Sequence, residues 1–569
     1  MEEIRENLKG VIRELYGIDF EPEVTVAPEN IEADYSSNAP LKLAKELHKA
    51  PMEIGEELIE SFARFLARAC RYRARFENRS RCRECSQKPL LTPPGFINFR
   101  LTDEFLGERI RELNQDFRAS IRNEEFANKT VVCEFSDPNP FKVLHVGHLY
   151  TSVVGDAIAR LYEYAGAKVV RANFGGDVGL HVAKTMYVLR QKALADLKIE
   201  DIAKCYVEGT AAYEDDRQAH AEITELNKEI YRINAEEVHG TELADLYWKA
   251  RELSYEYFKE FYARIGVKFD KYYPESIVAG LGLKTVLEQL NKGVYEKSEG
   301  AVVFDGEKYG LHTRVFVNKE GVPTYETKDV GLILTKWEDW HFDRSVVITG
   351  NEQKDYMAVV LKSVEQYAPE LVERTSHLTH GLVKLPGGVK MSSRKGNFLK
   401  AVEVLSMVAE ELKTQYNSED EKVSLAATKY AFLKYKMGGD IIFDPKESVK
   451  MTGNSGPYLL YSAVRAKKIL SNCTKSGKND SIYNIYERNL AKKMMEYKDV
   501  LKEAVAEMAP HKVAGYLYEV SQEFARFYEN CPVVGDEREA ERAVLVRAYL
   551  NVMTHGLEKI LGIKIPEEM

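Results

Sequence analysis

Residues 131–173 read VVCEFSDPNPFKVLHVGHLYTSVVGDAIARLYEYAGAKVVRAN. Val131 to Phe135 is a short apolar run rich in β-branched residues, the pattern of a buried strand. A loop carrying Pro138 and Pro140 follows. Val153, Ala157, Leu161 and Tyr164 then recur at helical spacing, and Gly166 stands where a helix stops. Lys168 to Ala172 reads as a second strand. This is a βαβ unit with His145-Val146-Gly147-His148 at the mouth of its helix.

The placement predicts an anion site. Unpaired backbone N–H groups and the positive end of the helix dipole favour negative charge there. Gly147 lets a nucleotide approach the backbone. Two histidines on one turn can donate to phosphate oxygens that gain charge during reaction. Neither a G-x-x-x-x-G-K-[ST] loop nor a G-x-G-x-x-G run follows the strand, so the phosphate site is of another kind.

Composition narrows the class. The 569 residues suggest roughly three or four domains. With 44% hydrophobic and 30% charged residues the chain reads as an ordinary globular protein. No apolar run approaches the length of about 18 residues that a membrane span needs. The start, MEEIRENLKG, lacks an apolar signal-peptide core, and seven irregularly spaced cysteines suit a reducing cytoplasm. The net charge of −9 argues mildly against nucleic acid, but local basic faces decide that question. One such run, from Arg64 to Arg83 with Tyr72 and Phe76 inside it, is either a solvated face or a phosphate contact. Cys70, Cys82 and Cys85 offer three of the four ligands that zinc requires, and a plain loop is the competing reading. No metal site is predicted.

H-x-G-H after a strand, followed later by Lys390-Met391-Ser392-Ser393-Arg394-Lys395-Gly396-Asn397, resembles the paired signatures of class I aminoacyl-tRNA synthetases. Further pieces resemble the arginyl-tRNA synthetases. They are Glu134 to Asn139, Tyr325-Glu326-Thr327-Lys328-Asp329, Gly456 to Tyr461 and the closing Gly562 to Met569. Asn173 to Gly179 is similar to the family's G-D-W-G turn, with Val178 in place of tryptophan.

The resemblance implies a multidomain α/β protein. Its parts are an N-terminal α/β domain contacting tRNA (1–115), a Rossmann-type parallel-sheet catalytic domain (116–400) and a helical stem and anticodon-binding bundle (401–569). Insertions are expected at about 190–262 and 286–322, and Pro323 to Gly331 reads as the point where the sheet resumes. The implied activity is ATP-dependent arginylation of tRNA(Arg) with Mg²⁺, by a cytoplasmic monomer.

The family's arginine pocket maps onto Glu134, Asn139, Tyr325, Asp329 and Gln353. Asp329 and Tyr325 are expected at the guanidinium, a planar fork of five donors that calls for carboxylates and fixed acceptors. Asn139 and Gln353 are expected at the carboxylate and ammonium groups. His145, Gly147, His148, Lys390, Met391 and Ser392 are implied to bind ATP. The usual second lysine of the Lys-Met-Ser loop is replaced by Ser393, and Lys142, Arg394 and Lys395 compete to replace it. A cysteine-specific relative would need a zinc site near H-x-G-H, for which Cys133 has no suitable neighbours.

Overall fold

The computed structural model describes residues 2–28, 31–76, 89–192, 196–387, 399–475 and 483–569. Contacts divide the chain into two compact units. The larger comprises Arg122–Tyr461, Lys502–Gly515 and His555–Met569. Its centre is a five-stranded sheet of β1 (Thr130–Glu134), β2 (Lys168–Gly175), β3 (Lys271–Pro274), β4 (Arg344–Gly350) and β5 (Thr375–His380). The spatial order is β5-β4-β1-β2-β3, and every neighbouring pair is parallel. Val131, Val132 and Cys133 are wholly buried, as the continuous apolar run requires of a central strand covered on both faces.

Four helices surround the site: α1 (Val146–Tyr164), α2 (Glu275–Asn291), α3 (Tyr325–Trp340) and α4 (Lys354–Glu365). Helix α3 corrects the expectation of a strand resuming at Pro323. Thr324, Tyr325, Thr327 and Val330 look strand-like in isolation, but Val330 and Ile333 are buried at helical spacing and Trp337 packs on the same core. The change of element matters, because Tyr325 and Asp329 become i and i+4 on one face. Helices α2 and α3 cross in backbone contact. A Cβ on Gly282 would lie 2.0 Å from the Thr327 carbonyl oxygen, and one on Gly331 would lie 2.1 Å from that of Val278. Only paired glycines allow this approach, and it carries Glu275 up to Lys328.

Between β2 and β3 the helices 180–192, 199–215, 217–235 and 242–265 enclose a core of their own around Met186, Ile202, Ile230 and Tyr247. Before α3 a three-stranded antiparallel sheet (Glu296–Ser298, Ala301–Phe304, Arg314–Val317) joins the main core through Phe304 and Phe316.

The smaller unit comprises Met1–Ile121, Ser462–Leu501 and Tyr516–Thr554. It contains a four-stranded antiparallel sheet (Val24–Val26, Tyr35–Ser37, Phe96–Phe99, Leu90–Thr92) and helices. Inside it, the buried Asp34 accepts from Arg488 Nη2 at 2.5 Å and from Lys492 Nζ at 2.9 Å. Arg488 also reaches Asp103 at 2.6 Å. Cys82, Cys85 and the basic residues from Arg79 to Arg83 lie outside the described residues, as do the side chains of Cys70 and of Arg68 to Arg75. Among the described residues no helix is long and apolar enough to cross a membrane.

Candidate active site

A cleft of about 720 Å³ opens at the carboxyl ends of β1 and β4, where the strand order reverses. Ligands of open parallel sheets bind at such a switch point. Glu134, Asn139, His145, Gly147, His148, Tyr325, Asp329 and Gln353 all line it. Lys142 does not line the cleft; its ammonium sits 4.4 Å from the centre of the Tyr206 ring, on an insertion helix. Lys390, Met391, Ser392 and Lys395 lie outside the described residues. Just beyond that segment, Leu399 lines the cleft and its carbonyl accepts from the Val146 N–H at 2.9 Å. The Ala401 N–H donates to Leu144 at 2.9 Å, so the chain returning from the Lys-Met-Ser segment is stitched to H-x-G-H.

The helix mouth differs from expectation in one respect. Its leading amides have partners. His145 Nδ1 accepts from the Gly147 N–H and His148 Nδ1 from the His145 N–H, both at 3.1 Å, while Val146 donates to Leu399. The two rings stack 3.7 Å apart. Burial, then the nearby Lys142 and His380, push His145 down to about 4. Burial, then His145 itself, hold His148 well below the usual histidine range. Both rings are therefore neutral near pH 7. With Nδ1 committed as an acceptor, the ring proton belongs on Nε2. The anion site is a pair of neutral imidazole donors in a capping box rather than a cradle of free amides.

The cleft is also lined by acids. Asp329, on α3, receives a hydrogen bond from Tyr356 of α4. Burial raises its carboxyl to about 8; the bond from Tyr356 opposes this, and the charges of Glu134 and Glu275 add to it. Glu134 accepts from the buried Lys336, and Glu275 from the buried Lys328. Asp137 is raised by burial and by Glu134, against a hydrogen bond from the Phe174 N–H at 2.8 Å. Ser136, Asp137 and Phe141 all adopt positive φ (73°, 49° and 66°), concentrating backbone strain in the loop between the first strand and H-x-G-H. Asn139 Oδ1 accepts from the Gly176 N–H at 2.7 Å, which leaves its amide hydrogens as donors. Tyr325, 57% exposed, stands at the mouth. Lys336 and Lys328 offset two of these acids, Glu134 and Glu275, while Asp329 receives, among the described residues, only the phenol, a setting suited to a delocalised cation.

Sequence reading missed Glu275, Tyr356 and Arg314, all of which line the cleft. Glu275 had a signal, a carboxylate at a strand-to-helix junction; Tyr356 and Arg314 had none. The Asp177 of the glycine-rich turn is structural. It is fully buried and accepts from the Ser276 N–H (3.0 Å), Ser276 Oγ (2.8 Å) and Arg251 Nε (2.9 Å), fixing the start of α2 beside Glu275. The Cys133 thiol, pushed up to about 12 by burial, is an inert core group.

The family model described as the catalytic domain of tRNA synthetases class I (R) matches residues 112–444. The chain belongs to the class I arginyl-tRNA synthetases. Models for the arginyl-tRNA synthetase N-terminal domain and the DALR anticodon binding domain match residues 2–65 and 459–569. An arginine–tRNA ligase of Fusobacterium nucleatum subsp. nucleatum is 29% identical, over 96% of this chain and 95% of its own length. The arginyl-tRNA synthetase of Thermus thermophilus shares the fold with a TM-score of 0.78 at 24% identity, covering 100% of both chains. That of Plasmodium falciparum shares it with a TM-score of 0.78 at 20% identity, covering 100% of this chain and 99% of its own. The Asp329 carboxyl lines the cleft.

A pH dependence follows. Below about 8 Asp329 carries a proton, which must leave before the carboxylate can pair with a guanidinium. The KM for arginine is expected to fall as pH rises from about 6 to 8, by at most about tenfold per unit, and to level off above. His145, held at about 4, is silent in that window. Steady-state kinetics across the range check this.

Proposed function

We propose that the chain is an arginine–tRNA ligase. It activates L-arginine with ATP to arginyl-adenylate and moves the arginyl group to the 2′-OH of the terminal adenosine of tRNA(Arg). The supporting observation is a single cleft lined both by two neutral imidazole donors, His145 and His148, and by Asp329, Glu275 and Glu134.

In this reading Asp329 and Tyr325 receive the guanidinium fork, and Glu134 and Glu275 add carboxylates whose charges Lys336 and Lys328 partly offset. Asn139 offers its amide N–H to the amino acid's carboxylate, and Gln353 completes the polar rim. The carboxylate oxygen attacks the α-phosphorus, the bond to the bridging oxygen breaks, and pyrophosphate leaves. His145 and His148 donate from Nε2 to the phosphate oxygens as charge builds on them. Lys390 and Lys142 supply positive charge toward the leaving pyrophosphate, with Lys395 and Arg394 competing for the second lysine's place. Among the described residues no three His, Cys, Asp or Glu side chains converge as a metal would require. Mg²⁺ commonly takes its ligands from nucleotide phosphates and water and needs no such cage; when bound it would neutralise charge on the pyrophosphate.

A fork held by fixed acceptors rejects a point charge. Lysine would leave those acceptors unpaired in a desolvated pocket, a cost on the order of several kcal/mol. The proposed partners are arginine, ATP and tRNA(Arg), and the proposed form is a cytoplasmic monomer. Charging of total tRNA with labelled arginine and labelled lysine tests the reading. Arginine alone is expected to be esterified; equal charging with lysine, or none with either amino acid, overturns it. The tRNA must be present throughout, because enzymes of this family commonly need it for activation.

A further inference from the structure

We propose that Tyr356 is a positioning residue that sets arginine recognition by holding Asp329 turned into the cleft. The proposal rests on the arginine reading above. It goes further by assigning the geometry of the key carboxylate to a residue on another helix.

Tyr356 stands on α4 and Asp329 on α3, and both line the cleft. The phenol donates to Asp329 Oδ2. Among the described residues Oδ1 accepts no hydrogen bond, and it remains for an incoming donor. A carboxylate fixed through one oxygen presents the other in one direction, which an end-on guanidinium contact through that oxygen needs. Without the phenol, the carboxyl group of a short side chain on a helix would be free to rotate about its terminal bond.

The phenol is itself held. The Arg314 guanidinium lies 5.3 Å from the centre of the Tyr356 ring, and Arg314 Nη1 donates to Glu326 at 3.2 Å. A cation over the ring draws electron density from the phenol and makes its O–H a better donor. Arg314 comes from the small antiparallel sheet before α3, so that insertion reaches the amino-acid site through Tyr356.

The charged groups around Asp329 set the sign of the effect. Glu134 from β1 and Glu275 from α2 oppose its ionisation; Lys336 from α3 and the Tyr356 hydrogen bond favour it. Glu326 and Arg314 face Tyr356 from its other side. Removing the hydroxyl leaves the two opposing acids in place and takes away a favouring contact.

Tyr356→Phe, which keeps the ring under Arg314, tests the proposal in the aminoacylation assay with tRNA present. The KM for arginine is expected to rise roughly ten- to a hundredfold, the scale of one lost hydrogen bond to a charged group. The KM for ATP should stay within about twofold, and kcat should fall much less than KM rises. The pH at which arginine KM levels off should move up by about one unit. A thermal melt close to that of the unsubstituted chain separates this from unfolding. An unchanged arginine KM and an unchanged pH profile would overturn the assignment to Tyr356 while leaving the arginine reading intact. Failure of the unsubstituted chain to charge arginine would instead sink the reading on which it rests.

Discussion

Asp329→Asn is expected to lower kcat/KM for arginine by roughly a hundred- to several-thousandfold. Removing one partner of a buried charge pair costs about 3–5 kcal/mol, and every 1.4 kcal/mol is about a factor of ten. Asparagine keeps the shape and accepts from Tyr356, but it has no charge to offer a guanidinium. The loss should fall on arginine binding, since the neighbouring acids Glu134 and Glu275 are already engaged by Lys336 and Lys328. The KM for ATP should barely move, because the phosphate end of the cleft is built from other residues. Steady-state kinetics with each substrate varied in turn would show the split. A variant with a nearly normal arginine KM would remove Asp329 from the recognition site.

Lys142→Ala is expected to slow pyrophosphate exchange by about a hundred- to a thousandfold with arginine KM unaltered, the cost of one electrostatic contact made in the transition state. The Lys-Met-Ser loop has Ser393 where a second lysine is usual. The ammonium of Lys142 is near enough to depress both His145 and His148, and Tyr206 braces it from the insertion. Reorienting toward a bound pyrophosphate needs only the swing of a long side chain. Near-normal exchange would pass the role to Arg394 or Lys395.

Much of this was legible in the sequence, for a physical reason. A central parallel strand must be apolar along its whole length, so Val131 to Phe135 announced β1. The capping histidines then marked the helix that follows. Eight of the expected site residues line one cleft because they sit at strand ends, in the loop after the first strand or in the opening turns of helices. The misreading of Pro323 to Gly331 as strand has an equally local cause. The segment opens with Pro323 and two threonines, and its helical stripe becomes visible only as far along as Ile333 and Trp337.

What stayed hidden depends on contacts between distant elements. Tyr356 and Asp329 are 27 positions apart on different helices, and Glu134 meets Lys336 across 202. Asp34 and Arg488 pair across 454. No pattern along the chain signals such partners. The neutral state of the histidines was likewise hidden, since it arises from burial and from the backbone amides that claim their Nδ1 atoms.

A buried acid, kept protonated first by its burial and then by the charges of Glu134 and Glu275, gives up that proton to a guanidinium. Calorimetric titration of arginine at pH 7, repeated in buffers of different ionisation enthalpy, measures it directly. With Asp329 held at about 8, binding should release close to one proton per arginine, and lysine should give little or no heat. Arginine binding with no proton release, or lysine binding of similar strength, would contradict the account.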